Sequence, residues 1–279
     1  MLGIGLLGIG SKATIIATMA FSVVTLIQDE EAATSDSGSL ELTAEWGPIK
    51  ESSHKRHERD DLRDVLQPGP HRRTESYPWT AFEALLPDDS VNVGEVFSLD
   101  FELVQPFLEQ VHPHPRAESH MNWAAYSGVY GVLLERTEDS VDLLLRAHIE
   151  FELKPKTIFF TVSQFEGRLV ANVKEKSAVG FRLAVPARSY NYDVHIREQN
   201  RTLIDIGYVP DLGVRGGALP EDDPDDEELE KARIQLKRAF YPFARLDWMS
   251  FAEGLEAAEV ENKPLHLVTI FGQLDDESC

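Results

Sequence analysis

The sequence predicts an α+β chain of three unlike parts: an N-terminal transmembrane helix, a β-rich middle domain and the start of an α/β domain. Three observations lead there. The first 27 residues are almost wholly apolar; residues 128–209 repeat short runs of β-branched and aromatic residues; a capped amphipathic helix precedes an apolar run near the end. With 279 residues, 42% of them apolar, the chain has enough material for a sizeable core. Its net charge of -21 excludes nucleic acid and anionic membrane surfaces as partners, because both are held by clustered Lys and Arg. A single cysteine, Cys279, excludes an intrachain disulfide framework.

Residues 1–28 read as a membrane anchor, with Lys12 snorkelling toward the N-terminal interface. The lysine on the short side and Asp29, Glu30 and Glu31 on the other place the bulk of the chain outside the cytoplasm, as a single-pass membrane protein. The alternative is a cleaved signal peptide with 13–27 as its apolar region, but no good A-x-A site follows. Gly3, Gly5 and Gly8 match G-x-G-x-x-G without the strand or the later acid that a dinucleotide site needs, so the spacing is a coincidence.

Residues 29–77 are polar, with "ESSHKRHERDDLRD" and the breakers "QPGP", and read as a stalk. The middle domain, 78–217, holds "GVYGVLLER" and "SVDLLLRAHIEFEL" around the turn at 137–139, then "TIFFTV", "GRLVANV", "GFRLAV", "YNYDVHI" and "LIDIGYV". Their spacing predicts antiparallel strands. Residues 218–242 combine the acidic break "LPEDDPDDEE" with a helix in "ELEKARIQLKRAF" that links two domains.

The last part, 243–279, is the most explicit. Ser250 and Glu253 form a capping box for a helix with Phe251, Leu255 and Ala258 on one face, ending near Asn262, Lys263 and Pro264. "LHLVTIFG" then reads as a buried parallel strand, and Cys279 sits in the loop after it, where α/β sheets place their chemistry. Helix, strand and cysteine loop in this order open a thioredoxin-like fold, in which the next helix would stabilise a thiolate. Asp275, Asp276 and Glu277 oppose that ionisation, so the residues alone leave open a catalytic Cys279 and an incidental thiol.

In these residues the chain resembles the selenoprotein N family. "FAEGLEAAEVENKPLH" and "FGQLDDESC" are similar to the family's stretch before its selenocysteine, and "HPHPR", "RAHIEFEL", "FRLAVPARS", "IDIGYVP" and "YPF" to its middle region. The resemblance covers about 105–279. It implies a membrane-anchored, extracytoplasmic thiol/selenol oxidoreductase acting through Ser-Cys-Sec-Gly, in animals anchored in the endoplasmic reticulum and linked to calcium handling. Cys279 would be catalytic as the resolving thiol, or the other half of a selenylsulfide, beside a selenocysteine, with no other cofactor, and its partner a protein thiol or disulfide substrate, a membrane protein included. The chain would then stop because the next codon is UGA, and in this form it would be inactive. The competing expectation is a membrane-tethered, non-enzymatic binding module that recruits membrane proteins through the middle domain.

The family's calcium-binding EF-hand has no good copy here. The nearest frame sets Asp89, Gly94 and Asp100 in loop positions but puts Val91 and Val93 where oxygen ligands belong. His112, His114 and His120 in "HPHPRAESH" read as a surface loop because Pro113 and Pro115 break any helical ligand face. His148 and His195 read as core or surface residues of strands, and 221–228 as a solvated linker. Asn200, Arg201 and Thr202 form a glycosylation sequon that matters only in a secretory lumen.

Overall fold

The computed structural model describes residues 38–117, 120, 128–186, 190–221, 226–240, 245–246 and 248–268. Its dominant element is a twelve-stranded sheet. In chain order, β1 (Leu40–Trp46), β2 (Glu51–Ser52), α1 (Arg63–Leu66) and β3 (Thr74–Tyr77) come from the segment read as a stalk. Then come α2 (Trp79–Glu83), β4 (Val96–Leu99), α3 (Phe101–Val111) and β5 (Pro115–Arg116). The strands β6 (Gly128–Arg136), β7 (Ser140–Lys154), β8 (Ile158–Asn172), β9 (Ser177–Ala184), β10 (Tyr192–Glu198), β11 (Arg201–Tyr208) and β12 (Leu212–Gly217) follow, and α4 (Glu227–Phe240) and α5 (Phe251–Glu261) close the order.

Among the described residues every strand pairing is antiparallel. The path runs β2-β11-β10-β8-β9-β12-β1-β3, with β7 on the other side of β8 and carrying β5 and β6. The two longest strands, β7 and β8, pair with bulges between Ala147 and Ile149 and between Glu152 and Lys154. Bulges bend a ribbon and sharpen its twist. As a result β8 offers its other edge to β10 over 158–162 and to β9 over 166–172. The sequence runs "TIFFTV" and "GRLVANV" are therefore two halves of one strand.

The inner face of the sheet carries the main core. Trp46 lies 5.5 Å from Phe151 and 5.2 Å from Phe160, and Phe160 stacks on Tyr192 at 4.6 Å between ring centroids. Gly207 permits this, since a Cβ there would stand 2.4 Å from the Tyr192 hydroxyl. α2 and α3 close the far side, packing Phe82 and Phe107 against Phe181. α3 buries Val104, Phe107, Leu108 and Val111 at helical spacing despite Pro106 within it. The outer face of β6 and β7 is covered by α4, whose Leu229, Ala232 and Leu236 meet Val132 and Leu144 in a smaller core. The helix read as a link between domains is thus a layer on the sheet.

Three expectations change. The stalk segment supplies three strands, with Leu42, Ala44 and Trp46 buried on alternate positions of β1. Residues 265–268, expected to begin a parallel strand, carry no strand, and 269–279 lie outside the described residues. The α+β reading with an N-terminal transmembrane helix, and with it the single-pass membrane localisation, gives way to a sheet-rich chain in which no helix among the described residues is long and apolar enough to cross a membrane. By contacts the chain divides into 1–35 and 36–279, and the first unit, with the expected span and the glycine spacing, lies outside the described residues.

Candidate functional site

Alternate residues of β7, β8 and β10 point away from the aromatic core, as the pleat requires. The register puts Glu150 beside Thr161 and Thr161 beside Asp193, and in the next row Glu152, Phe159 and His195. Onto this floor comes His120. Its ring stacks on Phe159 at 4.1 Å and 7°. Its Nδ1 lies 2.5 Å from Oε2 of Glu150, and its Nε2 lies 2.9 Å from Nδ1 of His195. The His120 backbone N–H donates to both Glu150 oxygens at 3.1 and 3.2 Å, and Thr161 donates to Oε2 at 3.3 Å. The line ends at Asp193, whose Oδ2 is 3.9 Å from Nε2 of His195.

The inner end is closed to water and the outer end opens only in part. The side chains of His120 and Glu150 are 3% and 2% exposed, that of Asp193 22%. Burial pushes the Asp193 carboxyl up to about 7, against the pull of its hydrogen bond with Thr161. Burial first, and then the neighbouring His120, hold the His195 imidazole below its ordinary value. Arg116 sits 3.9 Å from both Glu150 and Glu152, and Arg116 and Arg197 lie over the Phe159 ring at 5.9 and 5.0 Å. These groups are strung in a line rather than converging on a point, so they suit passing or sharing a proton rather than holding an ion. Among the described residues no group of three or more His, Cys, Asp or Glu is placed to hold a metal.

The histidines read together from sequence are thus separated. His112 caps the end of α3 in the core, 5.9 Å from Trp46 and 5.7 Å from Phe151, with its Nδ1 accepting from the His114 N–H. Burial depresses it to about 4. His114 is exposed beside it, while His120 joins His195, a partner that no spacing along the chain pairs with it. The signal was present only as strand parity: Glu150 and His195 each stand among inward apolar neighbours.

A second polar knot also escaped sequence reading. Asp205, fully buried, accepts from the Ser52 and Ser53 hydroxyls and from the His54 and Arg56 amides, at 2.7 to 3.0 Å. It ties the turn after β2 to β11.

Of the EF-hand frame, Asp89 pairs with Arg136 at 3.7 Å, Gly94 turns at φ 80° and Asp100 stands at the N-cap of α3, with β4 between. The frame is a strand and a turn, not helix-loop-helix. Asn200 lies exposed in the turn between β10 and β11. Cys279, the catalytic candidate, lies outside the described residues with its acidic neighbours, so no geometry attaches to it.

No protein-family model matches the chain, and no solved structure does. Selenoprotein N of Homo sapiens is 28% identical over 214 residues, a match that takes in 63% of this chain and 36% of that protein. Selenoprotein N of Mus musculus and of Danio rerio are each 27% identical over 214 residues, covering 63% of this chain and 38% of theirs. The chain is selenoprotein N-like. The match spans little more than a third of the length of these selenoprotein N relatives.

Proposed function

We propose that this selenoprotein N-like chain is part of a thiol/selenol oxidoreductase in which Cys279 is the sulfur member of a Cys–Sec pair. The similarity to selenoprotein N carries the reading, together with Ser278 and Cys279 after the acidic loop of "LDDESC". In the proposed cycle the selenolate beside Cys279 attacks one sulfur of a protein disulfide and releases the other as a thiolate. Cys279 then attacks the selenium as a thiolate, freeing the substrate's remaining sulfur as a thiolate and leaving a selenylsulfide. A thiol reductant supplies the two electrons that reopen it. Selenium suits the step because a selenol ionises more readily than a thiol, and Asp275, Asp276 and Glu277 hinder a thiolate acting alone.

The test is a trapping experiment on the gene product made with selenium supplied. It predicts a mixed selenylsulfide with a model protein disulfide that accumulates in Cys279→Ser and is resolved in the wild type, while the thermal midpoint is unchanged. Equal disulfide reduction by wild type and Cys279→Ser would remove the reading.

A further inference from the structure

The line Glu150, His120, His195, Asp193 has a proton count fixed by chemistry. Ionised Glu150 can only accept, so Nδ1 of His120 carries hydrogen. Nε2 of His120 and Nδ1 of His195, at 2.9 Å, must then share one hydrogen, carried by either ring. Carried by His195, it leaves both rings neutral and that ring's Nε2 an acceptor facing Asp193; with one proton more it is carried by His120 as a cation against Glu150, and His195 keeps its hydrogen on Nε2.

We propose that this line is a proton-operated latch, which holds His120 on the outer face of the sheet while the imidazole pair shares one hydrogen and frees it when a second proton enters the pair. With both rings cationic, N–H faces N–H: the contact has no acceptor left, and two like charges stand at hydrogen-bond distance in a dry site. The ring stack on Phe159 and the His120 amide bonds to Glu150 then lose the contact that seats them.

The surroundings set where this happens. β5 contributes Arg116, β7 Glu150 and Glu152, β8 Thr161 and Phe159, and β10 Asp193 and Arg197, while β11 aligns only Ile204 and Ile206 with the His195 and Asp193 rows. The first proton leaves the contact intact, since a cation of either ring still donates to the other; the second removes it, and because burial and the neighbouring His120 hold His195 below its ordinary value, that loss comes as pH falls below the usual histidine range. Asp193, raised to about 7, is by then mostly neutral and does not offset the second cation.

The experiment follows hydrogen exchange of the His120 amide in the full chain from about pH 7.5 to about pH 5, corrected for intrinsic rates, beside the ring nitrogens of both His120 and His195 in the same sample. Protection of the His120 amide falls about tenfold or more, with the midpoint of the pair's second protonation, while the core amide of Phe160 keeps its protection. His195→Leu shows low protection at both ends and no step. Unchanged protection across the range, midpoints that do not coincide, or the same step in His195→Leu overturns the latch. The comparison of midpoints needs only the wild type and decides the matter even if the variant does not fold.

Discussion

The sheet and the C-terminal helix obey the same local rules and differ in what their apolar residues meet. In the sheet, Phe82, Phe107, Phe151, Phe160 and Phe181 are essentially inaccessible to water, each against other rings. In α5 both halves of the capping box form and Asn262 closes the helix at φ 50°, yet no residue of the helix is buried. Phe251 and Val260 are 58% and 81% exposed, and Trp248, Met249, Leu265 and Leu267 line an open cavity of about 310 Å³ beside them. Caps and periodicity suffice to shape a helix, whereas burying its face takes a second layer. α4 has that layer, with Leu236 and Phe240 closed over the sheet, and α5 among the described residues does not.

That contrast can be broken at several points. Phe107→Ala removes a ring that touches Tyr77, Phe82 and Phe181, and should destabilise the sheet by about 3–5 kcal/mol in chemical denaturation. Next in size is Asp205→Ala, which strands two hydroxyls and two amides and should cost about 3 kcal/mol by the same measurement.

A pH effect of comparable scale comes from His112. Its folded value lies below the ordinary one, so the neutral ring favours the fold above about pH 6.5 and that contribution disappears as pH falls through about 4. Denaturation midpoints measured across this range should show a loss of up to about 3 kcal/mol, which His112→Phe flattens. The smallest effect belongs to α5. Leu255→Ala should change stability by less than about 0.5 kcal/mol, and a loss of core size would mean that the helix is covered by something beyond the described residues.

Much of the sheet was legible because its signals are local. β6 and β7 coincide with "GVYGVLLER" and "SVDLLLRAHIEFEL", the turn between them is held by the Thr137 hydroxyl accepting from Asp139 and Ser140, and both late helices fall where their patterns put them. β1 was hidden by its polar setting although Leu42, Ala44 and Trp46 alternate, and α3 by Pro106 and by the strands around it. The proton line was legible only as the strand parity of Glu150 and His195. Glu150, His120 and His195 are 30 and 75 residues apart in sequence, and only the register of β7, β8 and β10 brings them together.

The redox reading puts the chemistry on Cys279 and leaves the sheet as scaffold. The most direct test is mass spectrometry of the gene product from its own host, read on the peptide that carries Cys279. The account predicts one selenium atom in that peptide, linked to the Cys279 sulfur in the oxidised protein. A peptide without selenium, in a protein whose disulfide reduction is untouched by Cys279→Ser, would contradict it.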